Sequence, residues 1–242
     1  MRLSRFYIPE PLSSGEFQLP EAQAHYISRV LRLTEGSTIQ LFDGSGWEYP
    51  GELVEVGKKQ VRVLLQDAVV GLPESPLHIH LGQGLSRGEK MDWVIQKATE
   101  LGAQAITPLF TERCEVKLQG ERQDKRMEHW QQIAISACEQ CGRTKPPVIH
   151  APQRLDDWLK TVEADLKLVL DPQQERALGE HSSPKTLAML IGPEGGLSGN
   201  EVEAAKVQNF QGTLLGPRVL RTETAPIAMI SVAQWLWGDW RG

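Results

Sequence analysis

The sequence predicts an α/β protein in which a small β-rich module precedes a larger domain built on a parallel sheet. Two observations lead to this fold class. The run GLPESP at 71–76 holds two prolines and a glycine, so it continues neither a helix nor a central strand. After it, short apolar runs alternate with amphipathic helical stretches, which is the order of a parallel sheet covered by helices. We therefore predict two domains, residues 1–72 and 73–242.

Short β-like runs dominate the first module. They lie at 39–42, 47–56 and 60–65, with turn sequences at 43–46 (DGSG) and 57–59 (GKK) between them. Pro50 predicts that its part of the second run lies at a sheet edge or in a bulge. One short helical stretch, at 21–31, completes the module.

In the second domain the alternation begins with a strand at 77–81 and a helix at 89–101, where apolar residues recur at helical spacing before Gly102. A strand at 105–110 and a longer helix at 124–141 follow. The same order continues through 148–150, 155–162, 166–170, 187–191 and 213–215. We expect the carboxyl ends of these strands to share one edge of the sheet, where ligands bind in such folds.

The last predicted helix, at 226–237, is apolar almost all round. A helix of that kind is buried, and at the end of a chain we expect a second subunit to cover it. Tryptophans at 235, 237 and 240 also favour an interface. Packing inside the same chain is the alternative.

Composition restricts the class of protein. Hydrophobic residues make up 40% and charged residues 24% of 242 residues, which are ordinary globular values. The sequence shows no apolar run of membrane-spanning length and no apolar segment at its start, and it has three cysteines. We expect a soluble cytoplasmic protein without membrane association.

A formal net charge of −5 argues against a protein that coats nucleic acid non-specifically. It still permits a local basic face, because several cations lie near the start of the chain. These candidate RNA contacts, solvated charges in the alternative interpretation, are Arg2, Arg5, His25, Arg29 and Arg32.

The pair Cys138 and Cys141 has the spacing of some redox and zinc sites. Both cysteines lie on the apolar stripe of the predicted helix at 124–141, and neither Cys114 nor a histidine is placed to complete a ligand set. We predict that the pair belongs to the core and that the protein has no metal site.

Two loops carry the strongest functional signal: IGPEGGLSGNE at 191–201 and LLGPRVLRTETA at 214–225. Each follows a predicted strand, and glycine there lets backbone approach a ligand. Neither loop has the Lys-Ser or Lys-Thr pair of a phosphate-binding loop, and the first contains Glu194. In the structural alternative the first loop is only a turn, because Ser198 and Glu201 form a capping box for the next helix.

These loops resemble those of a known family, the bacterial small-subunit ribosomal RNA uridine N3-methyltransferases. The resemblance extends to QKATELGAQAITPLFTERCEVK at 96–117, RFYIP at 5–9 and EQCGR at 139–143. It implies an N-terminal PUA-like β-barrel that binds RNA and a C-terminal α/β domain with the trefoil knot of the SPOUT superfamily. It also implies a homodimer, S-adenosylmethionine as cofactor, and a uridine in the decoding region of 16S rRNA in the small ribosomal subunit as substrate.

The resemblance accounts for a glycine-rich loop without a phosphate-binding lysine. S-adenosylmethionine carries no phosphate, and Glu194 or Glu223 can offset the positive charge on its sulfur. The cofactor-binding residues that the resemblance implies are Leu170, Gly192, Pro193, Glu194, Gly195, Gly196, Leu215, Gly216, Leu220, Arg221, Thr222 and Thr224.

The reaction requires removal of the uracil N3 proton and alignment of N3 with the methyl group. Glu223 is the candidate general base, although it is also placed to cap the last helix. Arg221 is a candidate for offsetting charge on a uracil carbonyl oxygen. The resemblance places Arg143, as a catalytic residue, and Arg113, as an RNA contact, near the active site. A favourable cation at a helix end is the alternative for Arg143.

Two other functions fit parts of the sequence. Residues 82–88 (GQGLSRG) follow a strand and precede a helix, as in a Rossmann nucleotide loop, and Glu112 could then hold a ribose. A non-catalytic RNA-binding factor for ribosome assembly is the second alternative. Binding of S-adenosylmethionine distinguishes it from an enzyme.

Overall fold

A computed structural model describes residues 3–57, 60–171, 173 and 176–241. The chain forms two compact units. The first runs to Glu74 and also takes in Cys138–Pro146, whereas the second contains Ser75–Ala137 and the chain from Pro147 onward. The sequence predicts a single division after residue 72. It gives no sign that 138–146 join the first unit, because the helical periodicity of the stretch at 124–141 continues unchanged across residue 138.

The first unit contains a six-stranded sheet. Its strands are β1 (Ser4–Tyr7), β2 (Gly15–Gln18), β3 (Thr38–Phe42), β4 (Trp47–Val56), β5 (Val61–Leu65) and β6 (Val69–Val70). The order is β1-β3-β4-β5-β2, with β6 paired to β4, and only the β1–β3 pair is parallel. Alternate residues such as Ile39, Leu41 and Val63 point into one apolar core. The predicted helix at 21–31 is confirmed as α1 (Glu21–His25), which continues into a wider π-type turn, Tyr26–Leu31.

The prediction for Pro50 is wrong. Pro50 lies inside β4, which is central in the sheet, and it pairs with Gln40 of β3. The carbonyl of Pro50 accepts a hydrogen bond from the Gln66 N–H at 2.8 Å, so the Pro50 nitrogen, which has no hydrogen to donate, also faces the β5 side. The pairing of β4 with β5 begins one residue later, at Gly51. Proline is therefore tolerated because the ladder to β5 ends there. A register shift does occur in β4, but between Leu53 and Glu55.

The second unit contains the predicted parallel sheet, which is confirmed. Its strands are β7 (His78–Gly84), β8 (Ala105–Phe110), β9 (Val148–Ile149), β10 (Gln153–Arg154), β11 (Leu166–Leu170), β12 (Thr186–Ile191) and β13 (Gln211–Thr213). The order is β10-β8-β7-β12-β11-β13, with β9 paired to β8, and every pair is parallel.

Helices cover both faces of this sheet. They are α2 (Lys90–Glu100), α3 (Glu121–Cys141), α4 (Leu155–Thr161), α5 (Gly199–Val207) and α6 (Thr224–Trp237). Neighbouring residues of β12 enter different cores: Met189 packs in the cluster that contains α2 and α6, and Leu190 in the cluster with α4 and α5. This packing fixes the carboxyl ends of β11, β12 and β13 at one edge. None of the helices in the described chain has the length and apolar character that a membrane span requires.

Candidate active site

A cleft of about 510 Å³ opens at the carboxyl ends of β11, β12 and β13, within the second unit. This volume lies in the range typical of small-molecule sites, roughly 300–1,000 Å³. Leu170 and Asp171 follow β11, residues 191–197 end β12 and continue from it, and residues 214–215 follow β13. The cleft is completed by residues 218–223, by Lys90 from α2, by Arg113 and by one side of α5 and α6.

Residues 192–197, which we call the glycine loop, are closely packed. Two glycines, Gly192 in the loop and Gly84 at the end of β7, leave no room for a larger side chain. A Cβ at Gly192 would lie 2.9 Å from the Leu197 nitrogen, and a Cβ at Gly84 would lie 2.5 Å from the Pro193 nitrogen. Gly196 has φ +67° and donates its N–H to the Pro193 carbonyl at 2.8 Å. The glycines therefore fold the loop onto the end of β7 and leave its backbone facing the cleft.

Side chains from outside the loop hold it in place. Arg113 Nη1 donates to the carbonyls of Gly195, at 2.9 Å, and Leu197, at 3.2 Å. Glu194 Oε1 accepts hydrogen bonds from the Arg87 N–H at 3.0 Å and from Lys90 Nζ at 2.9 Å. Partial desolvation raises the pKa of Glu194, but hydrogen bonds from Lys90 and from backbone N–H groups outweigh it, and the pKa lies below its ordinary value of 4.5.

The capping box predicted for α5 is confirmed, and it adjoins the cleft instead of replacing it. Ser198 accepts the Glu201 N–H at 3.2 Å, and the Ser198 N–H donates to Glu201 Oε2 at 2.8 Å. The other oxygen of Glu201 accepts the Glu112 N–H at 2.7 Å. Glu112, the ribose partner in the Rossmann alternative, thus contributes its backbone to this end of the loop.

Residues 214–223, the second loop, are fastened at Thr222. This side chain is buried, and its Oγ1 donates to the Gly192 carbonyl at 2.8 Å and accepts from Gln83 Nε2 at 3.1 Å. The Ser86 hydroxyl lies 3.3 Å from the same oxygen. Sequence reasoning missed Gln83 as a support of the site; the available signal was a polar residue between Gly82 and Gly84 in an otherwise apolar strand.

Glu223 immediately precedes α6, but its side chain makes no capping hydrogen bond. One carboxylate oxygen, Oε2, is buried and has no hydrogen-bond partner among the described residues. Arg221 Nη1 lies 4.0 Å from the other oxygen, and the Arg221 side chain is 84% exposed. The geometry thus gives no support to helix capping by this carboxylate, and Glu223 is one of the residues that line the cleft.

Most residues that the resemblance assigns to the cofactor line this cleft. They are Leu170, Gly192, Pro193, Glu194, Gly195, Gly196, Leu215, Leu220, Arg221 and Thr222. Gly216 and Thr224 are not among the lining residues; Gly216 is an exposed turn with φ +72°, and Thr224 is an exposed residue that begins α6. The lining also includes residues that the sequence did not assign: Lys90, Asp171, Val202, Arg218 and Val219.

Arg143 belongs to the first unit and is not among the residues that line the cleft. It is buried, and its guanidinium binds the Glu74 carboxylate, with Nη2–Oε2 at 2.6 Å and Nε–Oε1 at 3.2 Å. These contacts stabilise the first unit, and a catalytic role for Arg143 stays a prediction.

The predicted basic face near the start of the chain is only partly present. Arg5, a candidate RNA contact, is not a solvated charge as the alternative interpretation held, because its side chain is 9% exposed and forms an ion pair with Glu48. It also donates to the carbonyls of Cys138, at 2.7 Å, and Arg143, at 3.1 Å. Long-range ion pairing of this kind leaves no local pattern in a sequence. His25, Arg29 and Arg32 are exposed, and Arg2 lies outside the described residues.

Cys138 behaves as a core residue. Burial raises the pKa of its thiol to about 12, so it stays protonated and unreactive near neutral pH. Among the described residues, no group of three or more His, Cys, Asp or Glu side chains is arranged to hold a metal ion.

Comparison with known proteins matches both parts of the chain to family models. Residues 73–234 match an RNA methyltransferase domain, and residues 19–66 match an RNA methyltransferase PUA domain. The chain is 37% identical to the ribosomal RNA small subunit methyltransferase E of Buchnera aphidicola subsp. Schizaphis graminum, over 98% of both chains. It is 35% identical to the protein of that name from Bacillus subtilis, over 89% of this chain and 88% of the other.

Two similar structures were solved with S-adenosylmethionine bound. One is a methyltransferase from Legionella pneumophila, with a TM-score of 0.96 and 41% identity, covering 99% of this chain and 100% of the other. The second is ribosomal RNA small subunit methyltransferase E from Neisseria gonorrhoeae, with a TM-score of 0.93 and 38% identity over the same shares. Since these similarities extend over nearly the whole sequence, the chain belongs to the ribosomal RNA small subunit methyltransferase E family.

Proposed function

We propose that this protein transfers a methyl group from S-adenosylmethionine to N3 of a uridine in the decoding region of 16S rRNA, in cytoplasmic small ribosomal subunits. One observation carries the proposal. The cleft combines exposed glycine-loop backbone with the carboxylate of Glu223, which makes no hydrogen bond to the described residues. The first feature suits a cofactor without phosphates, and the second suits a proton acceptor.

The residues of the cleft fit S-adenosylmethionine. Gly192 and Gly196 leave backbone accessible where a side chain would block it, and Leu215 and Leu220 supply an apolar wall. These groups would hold the adenine and ribose, while Glu223 faces the charged end. When bound, the cofactor supplies a transferable methyl group on a cationic sulfur.

Glu223 suits the role of base better than Glu194 does. Glu194 Oε1 already accepts two hydrogen bonds, from Arg87 and Lys90, which stabilise its charge and hold it against the glycine loop. The Glu223 carboxylate lines the cleft and can accept the N3 proton of the uracil, which leaves the nitrogen lone pair free to attack. The exposed Arg221 guanidinium would then stabilise negative charge on a uracil carbonyl oxygen.

The decisive experiment is to incubate the protein with labelled S-adenosylmethionine and small subunits from cells that lack the modification, then map the methyl by mass spectrometry. Glu223→Gln should lower kcat about 100-fold or more, the range for loss of a general base, with little change in cofactor affinity. Glu203→Gln, a matched change on the surface of α5, should leave kcat unchanged. Near-normal turnover of Glu223→Gln would refute the assignment, whereas absence of methylation by the unmodified protein would refute the proposed function.

The structure removes the basis of the Rossmann alternative. A Cβ at Gly82 would lie 2.4 Å from the Trp158 ring, and a Cβ at Gly84 would collide with Pro193. These two glycines therefore serve packing within the unit. The assembly-factor alternative predicts no equilibrium binding of S-adenosylmethionine, which calorimetry measures directly.

We also propose the trefoil knot and the PUA-like barrel that the resemblance implies. The proposal of a knot rests on the family to which the chain belongs. In the second unit, β13 lies at the edge of the sheet next to β11, and α6, which follows it, packs on α2 and β7, so the chain crosses β11 and β12 between these elements, as a knotted route also requires. The barrel is supported by the match of residues 19–66 to a PUA domain.

A homodimer is the third structural proposal. On α6, Val232 and Trp235 are 38% and 53% exposed, and Trp240 just beyond it is 45% exposed. Large apolar side chains clustered on one helix are typical of an interface. Equilibrium sedimentation measures the oligomeric state.

A further inference from the structure

A second cavity in the same unit, of about 580 Å³, is not used by the proposed cofactor site. We call it the basic hollow. Leu85, Leu118 and the edge of Trp130 form an apolar floor, and residues 86–88, 115–117 and two arginines of α3 form its rim. Its lining includes residues 85–88, the second half of the 82–88 sequence, which the packing of Gly82 and Gly84 does not explain.

The rim is strongly cationic. Arg87, Lys117, Arg122 and Arg126 face one carboxylate, Glu115, among the described lining residues. Arg87 pairs with Glu115, and Arg126 pairs with Asp92, with Nη2–Oδ1 at 3.7 Å. Arg126 also donates to the Gly88 carbonyl at 3.1 Å and lies over the Trp130 ring. The side chains of Lys117 and Arg122 make no hydrogen bond or ion pair within the described part of the chain, although both residues line the hollow.

The hollow and the cofactor cleft share a wall. Ser86 lines the hollow and Thr222 lines the cleft, and their hydroxyl oxygens lie 3.3 Å apart. At the rim, the Arg87 N–H donates to Glu194, which lines the cleft. A group bound in the hollow is thus one side-chain layer away from the site of methyl transfer.

We infer that the basic hollow binds an RNA nucleotide that flanks the target uridine, with Lys117 and Arg122 contacting backbone phosphate. The inference rests on the proposed function and adds a subsite to it. An apolar floor can take a base or ribose, and cations on a concave rim match phosphate oxygens. Bound RNA backbone would hold the neighbouring uridine at the mouth of the cleft, where Glu223 lies.

The test uses the double variant Lys117→Gln/Arg122→Gln in the full chain, with binding to unmodified small subunits measured from 50 to 300 mM salt. We expect about tenfold weaker binding near 0.1 M salt and a slope of log K against log salt that is smaller by about 1.5–2, as for two lost phosphate contacts. KM for subunits should rise, while kcat at saturation and the Kd for S-adenosylmethionine stay within about twofold, because phosphate contacts position the substrate.

Lys160→Gln/Lys206→Gln is the matched control, since it removes the same charge from α4 and α5, away from both sets of lining residues. An unchanged salt slope in the hollow variant, or an equal loss in the control, would overturn the inference. The inference would also be overturned if the unmodified protein bound inorganic phosphate tightly and the hollow variant lost that binding while its RNA binding stayed the same. If the unmodified protein fails to methylate subunits yet the hollow variant loses RNA affinity, the proposed function fails and the RNA subsite stands.

Discussion

The two loops that line the cleft are held in different ways. The glycine loop is fixed by Arg113, by the bonds to Glu194 and by the capping box of α5. In the second loop, no hydrogen bond or ion pair in the described chain involves residues 216–220, and Val219 is 82% exposed. Among the described residues, the hydrogen bond that ties the second loop to the first is the one that Thr222 donates to the Gly192 carbonyl.

We therefore expect the glycine loop to be ordered before a ligand binds, and the second loop to become ordered when the ligand binds. The glycine loop needs no ordering when the cofactor binds, so its contacts contribute to affinity without a large entropic cost. Residues 216–220 would still lose conformational freedom on binding, at a cost of roughly 1–2 kcal/mol for each residue fixed. Variants in the first loop should therefore change affinity through packing, and variants in the second through ordering.

The largest effect should come from Gly84→Ala. The added methyl would lie 2.5 Å from the Pro193 nitrogen and 2.9 Å from the Gly192 carbonyl carbon, so backbone must move. We expect about 1–3 kcal/mol of destabilisation from overpacking, and a more than tenfold loss of affinity for S-adenosylmethionine because the glycine loop shifts. Thermal unfolding and calorimetry measure the two quantities.

Two other glycines provide its controls. Gly199 at the start of α5 has open space around it, so Gly199→Ala should leave affinity unchanged. Gly216 also has open space but a φ of +72°, and Gly216→Ala should cost roughly 1–2 kcal/mol of local strain. If Gly216→Ala weakened cofactor binding more than Gly84→Ala, the second loop would be the more rigid wall and the comparison would be reversed.

A smaller effect is expected from Arg113→Ala. Loss of its bonds to Gly195 and Leu197 should loosen the glycine loop and weaken cofactor binding about tenfold, or about 1.4 kcal/mol, the order of a bond from a charged donor. Arg218→Ala is the matched change in the second loop, where Arg218 is exposed and makes no hydrogen bond or ion pair with the described residues. We expect less than about a threefold change for it by calorimetry. Equal losses would show that charge in the cleft matters and tethering does not.

Local patterns predicted the parallel sheet and both loops, because strands, caps and glycine turns are encoded by residues close in sequence. The bonds that fix the site are not local: Gln83 reaches Thr222, and Arg113 reaches Gly195. Arg5 shows the same limit, since a surface cation and a buried one paired with Glu48 look alike in a sequence. Fold class is therefore predictable from periodicity, whereas the supports of the site require the three-dimensional arrangement.

The smallest expected effect concerns the carboxylate of the glycine loop. Because the pKa of Glu194 is lower in the folded protein than its ordinary value of 4.5, its ionised form stabilises the fold above that pH. This contribution should be lost as the pH falls from about 4.5 through the lower pKa that Glu194 has in the folded protein. A cation with a raised pKa would instead lose its contribution as the pH rises. Glu194 is a third exposed and partly screened, so the change in Tm should be below about 2 °C.

Glu194→Gln should remove this part of the pH dependence while other carboxylates keep theirs, so the difference in Tm between the two proteins should shrink between pH 6 and pH 3. Glu203→Gln, which breaks only the surface pair with Lys206, should follow the unmodified protein at every pH. A constant difference in Tm across the range would mean that the bonds from Arg87 and Lys90 do not depend on the charge of Glu194. The fixed wall would then owe its rigidity to the hydrogen bonds from Arg113 and to glycine packing.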